Sequence, residues 1–207
     1  MKTLILTCSR NAAYTGGYVE GLMQAMASPH FGGWMKMEHE SDIARGRSVL
    51  MHRAMTQTKF DSFLWVDDDI AFTREDFDRI CSHELDIVGG LYVKRHPQGG
   101  GVYVAMYGDG PSETGLEEVR YIGTGFLRVT REVIDGLATV ASMVSFGGAP
   151  AIPHTFAAGA WDATGEGDME YLSEDYAFCL NARDVGFNIW LDHNIKLGHA
   201  GQHTFRP

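Results

Sequence analysis

Short apolar runs alternate with amphipathic stretches along this chain. Leu4 to Thr7 is a run of strand formers that stops at the polar Ser9, Arg10 and Asn11, and the amphipathic stretch Tyr14 to Ala27 follows it, so the order is strand, loop, helix. Ser41 or Asp42 can cap a second helix whose apolar stripe is Ile43, Leu50, Met51, Ala54 and Met55 and which ends near Thr58. Arg45, Arg47 and Arg53 are interspersed along it, and a solvated helix face is the plain reading of Arg45 and Arg47. Asp61 to Val66 (DSFLWV) is a second strand that runs directly into Asp67, Asp68 and Asp69, after which Thr73 and Asp76 make a capping pair for a helix from Arg74 to Ser82. Strands Leu85 to Val88 and Leu91 to Val93 flank Gly89 and Gly90.

Further strands are expected near Val102 to Tyr107, Val119 to Tyr121 and Phe126 to Val129, with Gly123, Thr124 and Gly125 just before the last of them. Thr130 caps a helix from Arg131 to Leu137. Ser145 to Met169 holds five glycines and two prolines with no sustained period, which is long for a structureless connection and reads as a functional flap. Ser173 opens a helix through Asp184 that Gly186 closes, and Asn188 to Leu191 is a last short strand. Strands and helices in alternation, with no repeat and no linker, predict a single α/β, Rossmann-like domain: a central, mostly parallel sheet flanked by helices, with ligands bound beyond the carboxyl ends of the strands.

Composition narrows the chemistry. The 207 residues are 44% hydrophobic and 21% charged with a net charge of −10, which disfavours an electrostatic grip on long nucleic acid or an anionic membrane. From Glu132 to Ala182 there is no Lys or Arg, while Glu132, Asp135, Asp162, Glu166, Asp168, Glu170, Glu174 and Asp175 all fall there, so phosphates would be repelled unless a cation stood between. Cys8, Cys81 and Cys179 are odd in number and not spaced as a zinc site, which suits reduced thiols and makes the cytoplasm the default location. The opening run is too short for a signal-peptide core, and no stretch approaches the roughly 18 apolar residues of a membrane span.

The acidic trio is the first candidate site. On an extended chain Asp67 and Asp69 fall on one side, where they can share a hard cation such as Mg²⁺ or Mn²⁺ that keeps positions open for phosphates; the bland alternative is a solvated turn capping the next helix. Glu174 and Asp175 start a helix, where negative charge is favoured anyway, but Asp175 can serve as a general base with Glu174 orienting it or the acceptor. A single histidine is ordinarily structural, yet His199 follows the last strand between glycines and an imidazole can complete an oxygen-rich Mn²⁺ site.

Together, Asp61 to Arg95 (DSFLWVDDDIAFTREDFDRICSHELDIVGGLYVKR), Tyr121 to Val133 (YIGTGFLRVTREV) and Tyr171 to Gly201 (YLSEDYAFCLNARDVGFNIWLDHNIKLGHAG) resemble the nucleotide-sugar-dependent glycosyltransferases of the GT-A fold that carry a DxD motif, family 2-like. The resemblance implies a metal-dependent transfer of a sugar from a nucleoside diphosphate, a UDP-sugar being favoured, to an acceptor hydroxyl, with inversion favoured over retention. It puts Asp67 near the ribose or the metal, Asp69 on the metal, Asp68 between them on the donor, His199 as a further metal or diphosphate ligand and Asp175 as the base. Thr7, Cys8 and Arg10, and Asp42 with Arg45, correspond to stretches that hold the base, ribose and diphosphate. Gly123, Thr124 and Gly125 correspond to the segment beside the transferred sugar.

Residues 1–95 would then form the nucleotide-sugar half and 96–207 the acceptor side, with recognition falling to Lys94 to Gly101 and the 145–169 flap. The acceptor classes left open are a glycan, a protein, a small molecule and a hydroxymethylated DNA base, the last contacted by the basic residues near 45–53 and 94–95. Two other functions compete. A sugar nucleotidyltransferase needs a Gly-rich loop with a basic residue after the first strand, where Thr7 to Gly17 supplies only Arg10 and late glycines. A non-catalytic nucleotide-sugar binding module would bind donor without releasing diphosphate.

Overall fold

The computed structural model describes residues 1–94, 101–102, 104–106, 110–162, 167–201 and 204–205. The chain begins β1 (Thr3–Ser9), α1 (Gly16–Ala25), β2 (Phe31–Glu38), α2 (Ile43–Gln57), β3 (Ser62–Val66), β4 (Ile70–Ala71) and α3 (Arg74–Ser82). It continues β5 (Ile87–Leu91), β6 (Val104–Met106), β7 (Leu116–Ile122), β8 (Phe126–Thr130), α4 (Arg131–Val140), β9 (Met143–Val144) and β10 (Ile152–Pro153). Last come β11 (Gly159–Asp162), β12 (Met169–Leu172), α5 (Glu174–Asp184), β13 (Ile189–Lys196), β14 (Gly198–Ala200) and β15 (Thr204–Phe205).

Among the described residues the central sheet has eight strands in the order β2-β1-β3-β8-β5-β13-β7-β6. Strands β2, β1 and β3 are mutually parallel and β13 is parallel to β5, whereas β8 opposes β3 and β5, and β7 opposes β13 and β6. The sheet is therefore mixed but mostly parallel, as expected of a single Rossmann-like α/β domain. Its inner strands β1, β3, β5 and β8 are buried nearly throughout because both faces are covered. One face, with Leu4, Leu6, Phe63 and Trp65, packs on α2, α4 and α5; the other, with Ile5, Leu64 and Val66, packs on α1 and α3. No helix among the described residues is long and apolar enough to cross a membrane.

Several local expectations are met closely. Asp42 caps α2 by accepting from the Arg45 N–H at 3.2 Å, and Thr73 with Asp76 forms a full capping box on α3. Gly186 ends α5 in the left-handed region at φ +96°, where a side chain would be strained.

Others need correction. Strand β2 was not expected: two glycines and a half-buried edge position leave it without a strong pattern. Within Leu85 to Val93 there is one strand, β5 (Ile87–Leu91), rather than two broken at Gly89 and Gly90, because these glycines are strand interior. A Cβ on either would come within 2.5 Å of the Ile122 or Ile195 side chain. The helix after Thr130 runs to Val140 rather than Leu137, and the Thr130 hydroxyl donates to Asp86 instead of capping it. The 145–169 segment is not structureless where described, since β9 pairs with β10 and β11 with β12 as short antiparallel ribbons. Asn188 to Leu191 is only the start of β13.

The length of β13 hid behind its polar middle. Asp192 is fully buried against α3, where Arg79 donates to it through Nε at 2.6 Å and its terminal nitrogen at 3.2 Å, and the His83 ring lies 2.8 Å away. Burial alone would raise the Asp192 carboxyl, but Arg79, the Asn194 N–H and His83 outweigh it and hold it below its ordinary 3.8. A lowered carboxyl contributes stability above that ordinary value and loses it as pH falls through the folded value. Urea unfolding of the protein should thus weaken steeply below about pH 3.8, and Asp192→Asn, already less stable at neutral pH, should lose less over the same interval. Parallel acid curves for the two proteins would refute this role.

Candidate active site

The acidic trio sits at the carboxyl end of β3 in a pinned turn. Asp67 N–H donates to the Gly125 carbonyl at 3.0 Å, Ile70 N–H closes the turn on the Asp67 carbonyl at 3.1 Å, and Thr15 N–H holds the Asp68 carbonyl at 3.0 Å. Beyond the turn, β4 pairs with β14, and Ala200 N–H donates to the Asp69 carbonyl at 2.8 Å. That pairing, His199 opposite Ile70, carries a residue from the far end of the chain to the trio. The trio is not extended, so it is this turn, not strand alternation, that lets Asp67 and Asp69 share a cleft.

The cleft is walled by Arg47, Asp67, Asp69, Tyr92, Thr124, Glu174, Asp175 and His199 and holds about 450 Å³ of space open to solvent. Its contributors come from the carboxyl ends of β3 and β5, the turn before β8, the second turn of α2, the first turn of α5, and β14. Four carboxylates face one guanidinium here, so the cleft is anionic and favours a cation.

His199 is buried, and its Nδ1 lies 2.8 Å from the Val93 carbonyl. A carbonyl only accepts, so Nδ1 carries the proton and Nε2 is turned toward Asp69 Oδ2, 3.5 Å away. A second nitrogen fixed by a backbone carbonyl is the arrangement that orients metal-ligating imidazoles. The Tyr92 ring meets the His199 ring edge to face at 5.4 Å, and its hydroxyl accepts from Gly125 N–H at 2.9 Å. Burial pushes the Tyr92 hydroxyl well above its ordinary range, so it keeps its proton. Among the described residues no three His, Cys, Asp or Glu side chains are grouped as a metal cage. The Asp69 and His199 side chains, 3.5 Å apart, are a donor pair of the kind that would suit a hard cation taking its other ligands from phosphates and water.

Arg47 is the residue the sequence reading missed. It is 3% exposed, not on a solvated face, and donates to Glu174 Oε1 at 2.6 Å and Asp67 Oδ1 at 2.8 Å. Burial would lower its pKa, but Asp67, Glu174 and Asp175 more than reverse this, and it stays charged. Burial in turn raises the Glu174 carboxyl, with Arg47 opposing and Asp175 and Asp67 adding to the rise. Asp175 accepts from the Ser173 hydroxyl and from Tyr176 N–H at 2.9 Å, so its Oδ1 is fixed toward the helix start. Ser173 is the residue before α5 but makes no side-chain cap. The Thr124 hydroxyl is buried in the cleft wall with no hydrogen-bond partner among the described residues.

The other expected donor residues are dispersed. Arg10 shares an adjoining cleft of about 820 Å³ with Thr15, Asp68, Asp69 and Gly201, next to the trio. Thr7 is buried, its hydroxyl 2.6 Å from the Tyr18 hydroxyl and accepting from the Trp34 ring N–H at 3.2 Å. Cys8 is buried beside α2, and burial pushes its thiol up to about 12, which keeps it neutral. Asp42 caps α2, and Arg45 pairs with Glu40 at 2.5 Å, neither of them walling the carboxylate cleft. Gly123 precedes the cleft residue Thr124, and Gly125 bridges Asp67 and Tyr92. Of the expected acceptor segment Lys94 to Gly101, residues 95–100 lie outside the described residues, as do 163–166 of the flap.

No family model matches the chain, and no curated protein matches it. Solved structures do. A197 from STIV aligns with a TM-score of 0.63 at 16% identity, over 97% of this chain and 86% of that one. The inositol-1-phosphate CTP transferase from T. maritima aligns with a TM-score of 0.47 at 11% identity, over 93% of this chain and 89% of that one, a score too low to carry an argument. The likeness to A197 concerns the fold alone, and the fold it supports is the single α/β domain described above.

Proposed function

We propose that this chain is a GT-A-type glycosyltransferase that moves a sugar from a nucleoside diphosphate to an acceptor hydroxyl with Mn²⁺ or Mg²⁺. The observation that carries the reading is the convergence of Asp69 and His199, far apart in sequence, with Asp175 in one anionic cleft at the carboxyl edge of the sheet. Asp69 and His199 would hold the cation, which supplies Lewis-acid stabilisation of the departing diphosphate. Arg10, in the adjoining cleft, would meet the donor. Asp175, its carboxylate fixed by Ser173 and Tyr176, would take the proton of the acceptor hydroxyl as it attacks, and Arg47 would fix Glu174 and Asp67 around it. A base on the acceptor side goes with inversion at the sugar.

Calorimetric titration of UDP tests the donor half. Binding is expected to require Mn²⁺, to vanish with chelator, and to weaken by more than roughly tenfold in both Asp69→Ala and His199→Ala. Metal-independent binding untouched by either substitution would overturn it. Sugar nucleotidyl transfer, which also uses a carboxylate-bound cation, is the competing reading. Its products differ, since it releases pyrophosphate from a nucleoside triphosphate and a sugar phosphate, where glycosyl transfer releases nucleoside diphosphate.

A further inference from the structure

The sheet edge where β1, β3 and β5 begin lies opposite the carboxylate cleft and carries a separate cavity of about 820 Å³ open to solvent, with His30, Ser82, His83, Glu84, Arg128 and Thr130 among its walls. Arg128 sits on β8 opposite Leu64 of β3. Its side chain is 1% exposed; Nε donates to the Ser62 hydroxyl at 3.0 Å and Nη1 to the Leu85 carbonyl at 2.6 Å, and both partners are neutral. Nη2 donates to nothing among the described residues, and it is the part of the guanidinium that opens on the cavity. Arg47, also buried, lies against two carboxylates, whereas no carboxylate among the described residues comes within ion-pair distance of Arg128. Asp86 acts on it only from a distance, its own carboxylate taken by the Thr130 hydroxyl at 3.0 Å. Burial lowers the Arg128 pKa, with Cys81 and Asp86 opposing the fall. A buried charge without a counter-charge is costly, and an anion on the open side offsets that cost.

We propose that this cavity binds a small oxyanion, a phosphate or a carboxylate group, on Arg128. A guanidinium presents its N–H donors in a fixed plane that matches the oxygens of either group, and both donors of Nη2 are left over by the protein. Its partners within the sheet, Ser62 and Leu85, hold that plane in place before the ligand arrives. His83 stands beside it with its ring oriented by Asp192, 2.8 Å from Nε2. Glu84, exposed on the cavity wall, disfavours an extended polyanion, so the ligand is a single small group rather than a nucleic-acid backbone or a lipid surface. The site shares no residue with the carboxylate cleft and lies at the other end of β3.

The test follows the Arg128 Nε–H signal by NMR in the unaltered, nitrogen-labelled full chain, assigned by through-bond correlation, while sodium phosphate or sodium acetate replaces sodium chloride at constant ionic strength. A saturable shift with at least one of the two oxyanions is expected: a response to phosphate alone assigns a phosphate-bearing ligand, to acetate alone a carboxylate, and to both the oxyanion chemistry they share. No saturable shift with either overturns the site, and an equal response to added chloride at fixed phosphate or acetate overturns the oxyanion class. Calorimetry of the responding ion on Arg128→Met, which keeps much of the side chain's length without its charge, is expected to show binding abolished. Undiminished binding to that variant would put the anion elsewhere and overturn the proposal. The NMR titration needs no substitution, so it decides the matter even where Arg128→Met does not fold.

Discussion

Asp175→Asn is expected to bind UDP-sugar and Mn²⁺ as tightly as the unaltered protein and to transfer sugar roughly 10² to 10⁴ times more slowly, the range a positioned general base supplies. Asparagine keeps the shape of the side chain and still offers an oxygen to the Ser173 hydroxyl and Tyr176 N–H, the two donors that hold Asp175. What it lacks is the capacity to take a proton at working pH. Binding is read by calorimetry and turnover by release of free diphosphate with acceptor or water as the receiving hydroxyl. Undiminished turnover would remove Asp175 from the chemistry, and loss of binding as well would make it part of the donor site.

The second large effect belongs to Arg47. Removing one partner of a fully buried ion pair costs about 3 to 5 kcal/mol, because the other charge is left unpaired. Arg47 serves two carboxylates, but the Asp67 side chain is 33% exposed and partly solvated. Arg47→Met is therefore expected to lower the unfolding free energy by about 2 to 3 kcal/mol at neutral pH, read by urea denaturation. The pH dependence gives the cause away. A carboxyl raised by burial, as Glu174 is, contributes stability that is whole below its ordinary 4.5 and is lost as pH rises through its folded value. Without Arg47 that value rises further, so the variant's deficit should shrink when pH is lowered from neutral toward 4.5. A deficit independent of pH would mean that Arg47 acts through packing against Trp65 instead.

The parts of this fold that sequence reveals are those set by short-range physics. The Thr73–Asp76 box, the Asp42 cap and the Gly186 stop each depend on residues within one turn, and the DSFLWV run announces β3 and the acidic turn after it. The parts that sequence hides depend on partners far away. Arg47 looks like one more cation on a polar helix until Asp67 and Glu174, 20 and 127 positions along the chain, close around it. Likewise Asp192, His193 and Asn194 break the apolar pattern of β13: Asp192 is fully buried with Arg79 and His83 on its carboxylate, the half-buried His193 meets Glu117, and the exposed Asn194 donates to the Thr114 carbonyl. Gly89 and Gly90 read as a break because the Ile122 and Ile195 side chains that need the space lie on other strands. For the site, Asp67, Asp69, Asp175 and His199 were legible as a set through resemblance, whereas the β4–β14 pairing that joins His199 to Asp69 rests on three-residue and two-residue strands too short to leave a pattern.

The most direct test of a metal-dependent glycosyltransferase is release of free nucleoside diphosphate from a panel of UDP-, GDP- and dTDP-sugars, with Mn²⁺, Mg²⁺ or chelator, by the unaltered protein and Asp69→Ala. Slow hydrolysis of one donor, a UDP-sugar foremost, that needs both the metal and Asp69 is the predicted result. Release from no donor, or release that persists with chelator and in Asp69→Ala, would contradict it.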